Sequence, residues 1–206
     1  MSYRVLTVDR EFGSGGARIA NTIGEWLGWK ILDEAIIDEI ARRAHVDPKV
    51  VIKYDERVES WLRRMNEQAV RGMAIGSGQG VGEDDLFDAY VMTELTRKIV
   101  EEAHSVGNCV IVGRGAQCIL EKKPDVFRLF VYAPFQDRAC RLKQRLPQGS
   151  NVEHRMRTVD DERAKYLLLR FGKSWCNPHL YDLMIASHED EDSTARVVLH
   201  AMTGKA

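Results

Sequence analysis

What this sequence lacks narrows its function before any motif is considered. Its four cysteines, Cys109, Cys118, Cys140 and Cys176, include no C-x-x-C pair and have no histidine motif beside them. That spacing excludes the usual zinc frameworks and a disulfide scaffold, and predicts reduced thiols. No apolar run approaches the ~18 residues of a membrane helix. Neither sign of charge dominates, with 30 Lys and Arg against 31 Asp and Glu. Such a balance argues against a protein that holds nucleic acid or a membrane surface by bulk charge. The chain begins in an apolar run without a basic and apolar leader, so a soluble cytoplasmic protein is expected. The six histidines are scattered and show no ligand spacing.

What is present is a chain of 206 residues, 44% apolar, enough for one α/β domain with an inserted lobe. Five short apolar runs read as buried parallel strands: 4–8, 29–32, 109–112, 127–132 and 183–186. Helical patterns fall at 16–27, 33–44, 86–103, 116–120, 135–146, 152–171 and 193–202. Strands alternating with helices indicate a doubly wound α/β fold. Two segments exceed a minimal repeat. One is a charged helical stretch from Pro48 that ends in the glycine-rich, acidic "GSGQGVGEDD". The other is the charged stretch from Pro147 to Phe171. They resemble an acceptor lobe, about 33–85, and a lid, about 147–172, within a single domain 1–206.

The first strand runs into "DREFGSGGARIA". Glycines let backbone N–H groups approach a phosphate and accept positive φ. A helix starting there adds unpaired N–H groups and its dipole. Gly13, Ser14, Gly15 and Gly16 are therefore candidates for a polyphosphate cradle, and a plain tight turn is the alternative.

Across almost the whole chain the sequence resembles the cytidylate kinase-like family, whose members typically open with "SREFGSGG". The matching stretches are "LTVDREFGSGGARIANTIGEWLG", "LDEAII", "VIVGRGA", "APFQDRACRL", "VDDERAKY" and "WCNPHLYDLMIAS". The resemblance implies a P-loop nucleoside monophosphate kinase fold: five parallel strands, a phosphate loop, an acceptor lobe and a lid. It implies ATP with Mg²⁺ as the phosphoryl donor and a nucleoside monophosphate as acceptor.

The departures are specific. In the phosphate-loop pattern G-x-x-x-x-G-K-[ST], lysine reaches the β- and γ-phosphates and the hydroxyl holds Mg²⁺. Here Arg10 stands at the first glycine position, Gly16 at the lysine and Ala17 at the hydroxyl. The loop matches in place and backbone, so its positive charge has to come from elsewhere. Arg18, in the first helical turn, is expected at the flank of the phosphates, with Arg10 as the other candidate. Arg114, past the third strand, is expected on the acceptor's phosphate, where arginine can bind bidentately. Gly115 follows it where cytidylate kinases carry an aspartate. In the lid, Arg157, Asp160 and Arg163 recur at helical intervals. The resemblance carries Asp160 and Arg163 onto a D-x-x-R that meets the phosphates, while a solvated helix laced with ion pairs would look alike. Asp33 is either a helix N-cap or, by resemblance, part of acceptor binding. Asp9 is a candidate for Mg²⁺ through water. Trp175, Pro178, Tyr181 and Asp182 are expected to pack the last strand.

The expected activity is ATP-dependent phosphoryl transfer to a nucleoside monophosphate, CMP or dCMP first. A kinase for a different small acceptor and a nucleotide-binding regulatory module without turnover are the alternatives. Small nucleotides are the expected partners, with neither nucleic acid nor membrane among them. The oligomeric state is left open.

Overall fold

Branched and aromatic runs become the strands of the computed structural model, which describes residues 3–33, 35–44, 83–187 and 190–204. They are β1 Val5–Arg10, β2 Lys30–Leu32, β3 Cys109–Val112, β4 Val126–Tyr132 and β5 Leu183–Ala186. All pair in parallel in the order β2-β3-β1-β4-β5. The helices are α1 Gly16–Leu27, α2 Ala35–Ala44, α3 Glu83–Val106, α4 Ala116–Ile119, α5 Phe135–Arg145, α6 Val152–Phe171 and α7 Glu191–Thr203. The expected five-stranded parallel α/β architecture is the one observed.

Several boundaries differ from the expected ones by one to three residues, and for β1 the reason is physical. β1 continues past Val8 because its ladder to β4 continues, with Asp9 opposite Phe130 and Arg10 opposite Val131. Its pairing with β3 stops at Val8–Val112, so β1 overhangs β3 by two charged residues. α3 is described over Glu83–Val106, against the expected 86–103. Of the expected glycine-rich loop, residues 76–82 lie outside the described residues, as does the charged stretch before them.

The chain divides into two units, Met1–Asp33 with Val100–Ala206, and Glu34–Ile99. The second carries α2 and most of α3. Within α2, Glu39 receives Arg42 and Arg43 at 2.6 and 2.7 Å, and these two hydrogen bonds hold its carboxyl down to about 2. In the first unit, strand alternation builds two apolar layers. Leu6, Val8, Leu129 and Val131 pack with Ile19 and Ile23 of α1 and Val198 of α7. Phe130 faces the other way, with Leu167, Trp175 and Tyr181. A third cluster joins α5 to α6 through Leu142, Val152 and Met156, and Phe12 and Phe135 pack against it. The segment expected as the lid, about 147–172, contains α6, and α6 packs on α5 in a cluster against which Phe12 of the β1–α1 loop also packs. Asn151 caps α6 by accepting from the His154 N–H. Among the described residues no helix is long and apolar enough to cross a membrane.

Candidate functional site

The β1–α1 loop is shaped by what its carbonyls meet. Arg138 Nη1 of α5 donates to the Phe12 carbonyl at 3.3 Å. Arg141 Nη1 donates to the Gly13 carbonyl at 3.4 Å, and Ser187 Oγ, just past β5, donates to the Ser14 carbonyl. In a trans peptide the next N–H points the opposite way. The Gly13 and Gly15 N–H groups therefore point away from the β4–β5 side. Among the described residues neither makes a hydrogen bond. Both glycines hold φ at +81°, and Gly15 caps α1 without a side chain. Successive N–H groups in such turns form an anion-binding concavity beside the helix N-terminus.

Two arginines meet at this loop. Arg163 of α6 donates from Nη1 to the Arg10 carbonyl at 2.6 Å and stands over the Phe12 ring, 6.0 Å from its centre. Burial and then the Arg10 charge lower the Arg163 pKa to about 10, against the opposing pull of Asp9, Asp160 and Asp33. Arg10 Nη2 lies 3.8 Å from Asp33 Oδ1. Two neighbouring guanidinium groups in a half-buried setting favour an incoming anion.

Asp160 ties α6 to the loop. Its Oδ1 accepts from the Phe12 N–H at 2.7 Å, and its Oδ2 from Arg138 Nη1 at 2.5 Å. Glu11 Oε2 accepts from the Ala133 N–H at 3.1 Å and lies 3.4 Å from Arg138 Nε. Arg157 is not brought to this cluster; it is exposed, with its guanidinium over the Phe135 ring at 5.5 Å. Arg18 is 62% exposed, and its Nε pairs with the buried Glu191 of α7 at 3.1 Å. Arg114 sits just past β3 with φ +57°, and its carbonyl accepts from the Tyr166 hydroxyl at 3.4 Å. Beside it, the Phe171 ring fills the space in which a side chain at Gly115 would stand.

Asp9 does not serve as a free carboxylate. It is 4% exposed, and Oδ1 accepts from the Arg10 N–H at 2.9 Å. Its Oδ2 accepts from Gln117 Nε2 at 2.7 Å, Trp175 Nε1 at 2.9 Å and the Tyr181 hydroxyl at 3.4 Å. Burial, and next the Asp9 charge, push the Tyr181 phenol well above its ordinary value. The candidate water-mediated Mg²⁺ role of Asp9 is thereby corrected: its oxygens already accept from protein donors. Ala17 offers no hydroxyl, and among the described residues no three His, Cys, Asp or Glu side chains form a metal cluster. Among the described residues, therefore, none builds a Mg²⁺ site of its own.

Nothing in the sequence singled out Arg138 and Arg141 as loop contacts. Their spacing of three puts them on one face of α5, but that spacing does not distinguish a loop contact from a solvated face. As expected, Trp175 and Tyr181 pack a strand layer, and Asp182 holds Arg128 of β4 at 2.9 Å.

A family model described as "Cytidylate kinase-like family" matches residues 5–189. The chain is similar to the crystal structure of an uncharacterized protein from Eubacterium ventriosum, at 17% identity and TM-score 0.68, over 98% of this chain and 99% of that one. It is also similar to a gluconokinase from Sinorhizobium meliloti (14% identity, TM-score 0.55, over 99% and 94% of the two chains). A shikimate kinase from Acinetobacter baumannii in complex with shikimate is a further likeness (13%, TM-score 0.53, over 98% and 94%). These likenesses show the fold, that of the P-loop kinases. Among curated protein sequences none matches. Because that family model spans residues 5–189, the chain belongs to the cytidylate kinase-like family.

Proposed function

We propose that this protein transfers the γ-phosphoryl group of ATP to a small phosphorylated acceptor, with CMP and dCMP as the first candidates. The observation that carries this reading is the pair of arginines, Arg10 and Arg163, set against a loop whose Gly13 and Gly15 N–H groups are unspent. Phosphoryl transfer needs little covalent help from the protein; positioning and cations around the transferring oxygens supply most of it. In this reading the backbone of Gly13, Ser14, Gly15, Gly16, Ala17 and Arg18 holds the donor's phosphates. Arg163 neutralises charge on the transferring group, and Asp160 keeps loop and lid helix in register. Arg114 holds the acceptor's phosphate, with Asp33 on the acceptor side. Mg²⁺ bound to ATP would supply charge neutralisation that the protein's own carboxylates and hydroxyls do not.

A second reading keeps the chemistry and changes the acceptor. It is favoured by Phe171, which fills the space over Gly115 where an acceptor-contacting aspartate would stand. ADP release from ATP, measured with CMP, dCMP, other nucleoside monophosphates, non-nucleotide acceptors and no acceptor, tests both. Turnover with CMP or dCMP supports the first reading, and turnover with another acceptor alone supports the second. ATP binding without turnover on any acceptor leaves a binding module, and no shift of the thermal midpoint by ATP or ADP ends the nucleotide reading.

A further inference from the structure

We infer that Arg10 supplies the cation that the phosphate loop lacks at Gly16, reaching the transferring phosphoryl group from the end of β1. This rests on the kinase reading above and assigns a residue within it. The lysine of a phosphate loop projects from the position of Gly16. In this chain a Cβ at that position would stand 2.6 Å from Arg10 Cβ, 3.0 Å from Arg10 Cγ and 3.2 Å from Val131 Cβ. The obstruction is the stem of Arg10 and a sheet side chain, neither of which can swing aside as a chain end does. Gly16 is glycine because Arg10 occupies its side-chain space.

The path of Arg10 continues towards the neighbouring strand. Its Nη1 lies 2.6 Å from where a Cβ on Gly113 would be, and Nη2 is 3.8 Å from Asp33. Glycines at 16 and 113 thus flank one arginine along its length. Because β1 overhangs β3 by two residues, the guanidinium crosses above the carboxyl end of β3, where open α/β sheets bind their ligands. The loop's carbonyls are turned to the β4–β5 side, so its free N–H groups and Arg10 face a common space. Arg163 secures the Arg10 backbone by its hydrogen bond to the carbonyl. The rival cation, Arg18, is turned to Glu191, whose Oε1 stands 2.5 Å from the place of a Cβ on Gly15. A purely structural Arg10–Asp33 pair accounts for less. Asp33 is 40% exposed, an exposed pair contributes little, and such a pair does not call for two glycines along the arginine.

The test compares wild type with Arg10→Ala, Arg10→Gly, Gly16→Lys and the R10G/G16K double variant. For each, the ADP dissociation constant is measured by calorimetry, kcat with the best acceptor, and the thermal midpoint. Arg10→Ala is expected to bind ADP within about threefold of wild type while kcat falls about 100-fold, as for contacts made to the transferring group. Gly16→Lys should lose turnover, because Arg10 blocks the new side chain. The double variant should recover at least about tenfold over Arg10→Gly, since a lysine then has the space and the reach. Wild-type kcat in Arg10→Ala overturns the inference, as does retained turnover in Gly16→Lys. So does a double variant that has native midpoint and ADP affinity yet is no faster than Arg10→Gly. If the double variant melts far below wild type, the single variants decide. Failure of the kinase reading looks different: wild type itself then phosphorylates no acceptor.

Discussion

Phe171, the last residue of α6, lies against Gly115, and its ring takes the place of any side chain at that position. Gly115 also holds φ +66°, a region that costs L-residues strain. Gly115→Ala is therefore expected to cost at least about 2 kcal/mol through overpacking and backbone strain. Adding Phe171→Ala should return part of that loss. Urea unfolding of the two single variants and the double decides this. Equal stability of Gly115→Ala and wild type would show that the ring does not confine position 115.

Asp9 joins β1 to three side chains distant in sequence, Gln117, Trp175 and Tyr181. Asp9→Ala leaves Trp175 Nε1 without an acceptor and Gln117 Nε2 with only the Tyr181 oxygen at 3.5 Å, while the Tyr181 hydroxyl keeps the Trp175 carbonyl at 2.9 Å; an unsatisfied buried group costs about 1–3 kcal/mol. A loss of about 1–3 kcal/mol is expected, together with a change in Trp175 fluorescence. A shift below about 1 kcal/mol would mean that the network contributes little.

Arg18 and Arg163 should separate in kinetics. Arg18 is mostly exposed and paired with Glu191, so Arg18→Ala is expected to change KM for ATP by less than about threefold, as for a weak surface pair. Arg163→Ala should lower kcat about 100-fold with a smaller effect on KM, the pattern of an interaction made only in the transition state. Steady-state kinetics with varied ATP would reverse these roles if Arg18→Ala abolished turnover and Arg163→Ala did not.

The thiols give a pH prediction. Burial pushes the Cys109 thiol up to about 11 and the Cys118 thiol up to about 12, whereas Cys140 and Cys176 are exposed. At pH 8 a thiol reagent should label Cys140 and Cys176 in the native protein and all four cysteines after unfolding. Between pH 9 and about 11 the folded chain keeps protons that the unfolded chain releases. Stability therefore falls as pH rises through that window. Urea midpoints at pH 8 and pH 10 should show a smaller drop in Cys118→Ala than in wild type; an equal drop would assign the pH dependence to other groups.

The sequence by itself determined the architecture, because that information is local. Apolar runs mark the strands, and the bounds of β3, β5, α1 and α6 coincide with the expected ones. The glycine turn after β1 is likewise legible, since only a few residue types tolerate its dihedrals. What the tertiary structure decided is which charged groups meet. Arg10 and Arg18 are both arginines near one loop, and nothing in their spacing separates them. The side chain of Arg10 lies between Gly16 and Gly113, whereas Arg18, in the first turn of α1, is drawn to Glu191 far along the chain. In the same way Gly115 reads as a lost aspartate in the sequence and as the bed of Phe171 in the fold. Asp9 reads as a free carboxylate until Gln117, Trp175 and Tyr181 close over it. Each of these contacts depends on strand register and on how α5 and α6 pack against the sheet. Register and packing are set by long-range burial, and no residue's immediate neighbours in sequence carry that information.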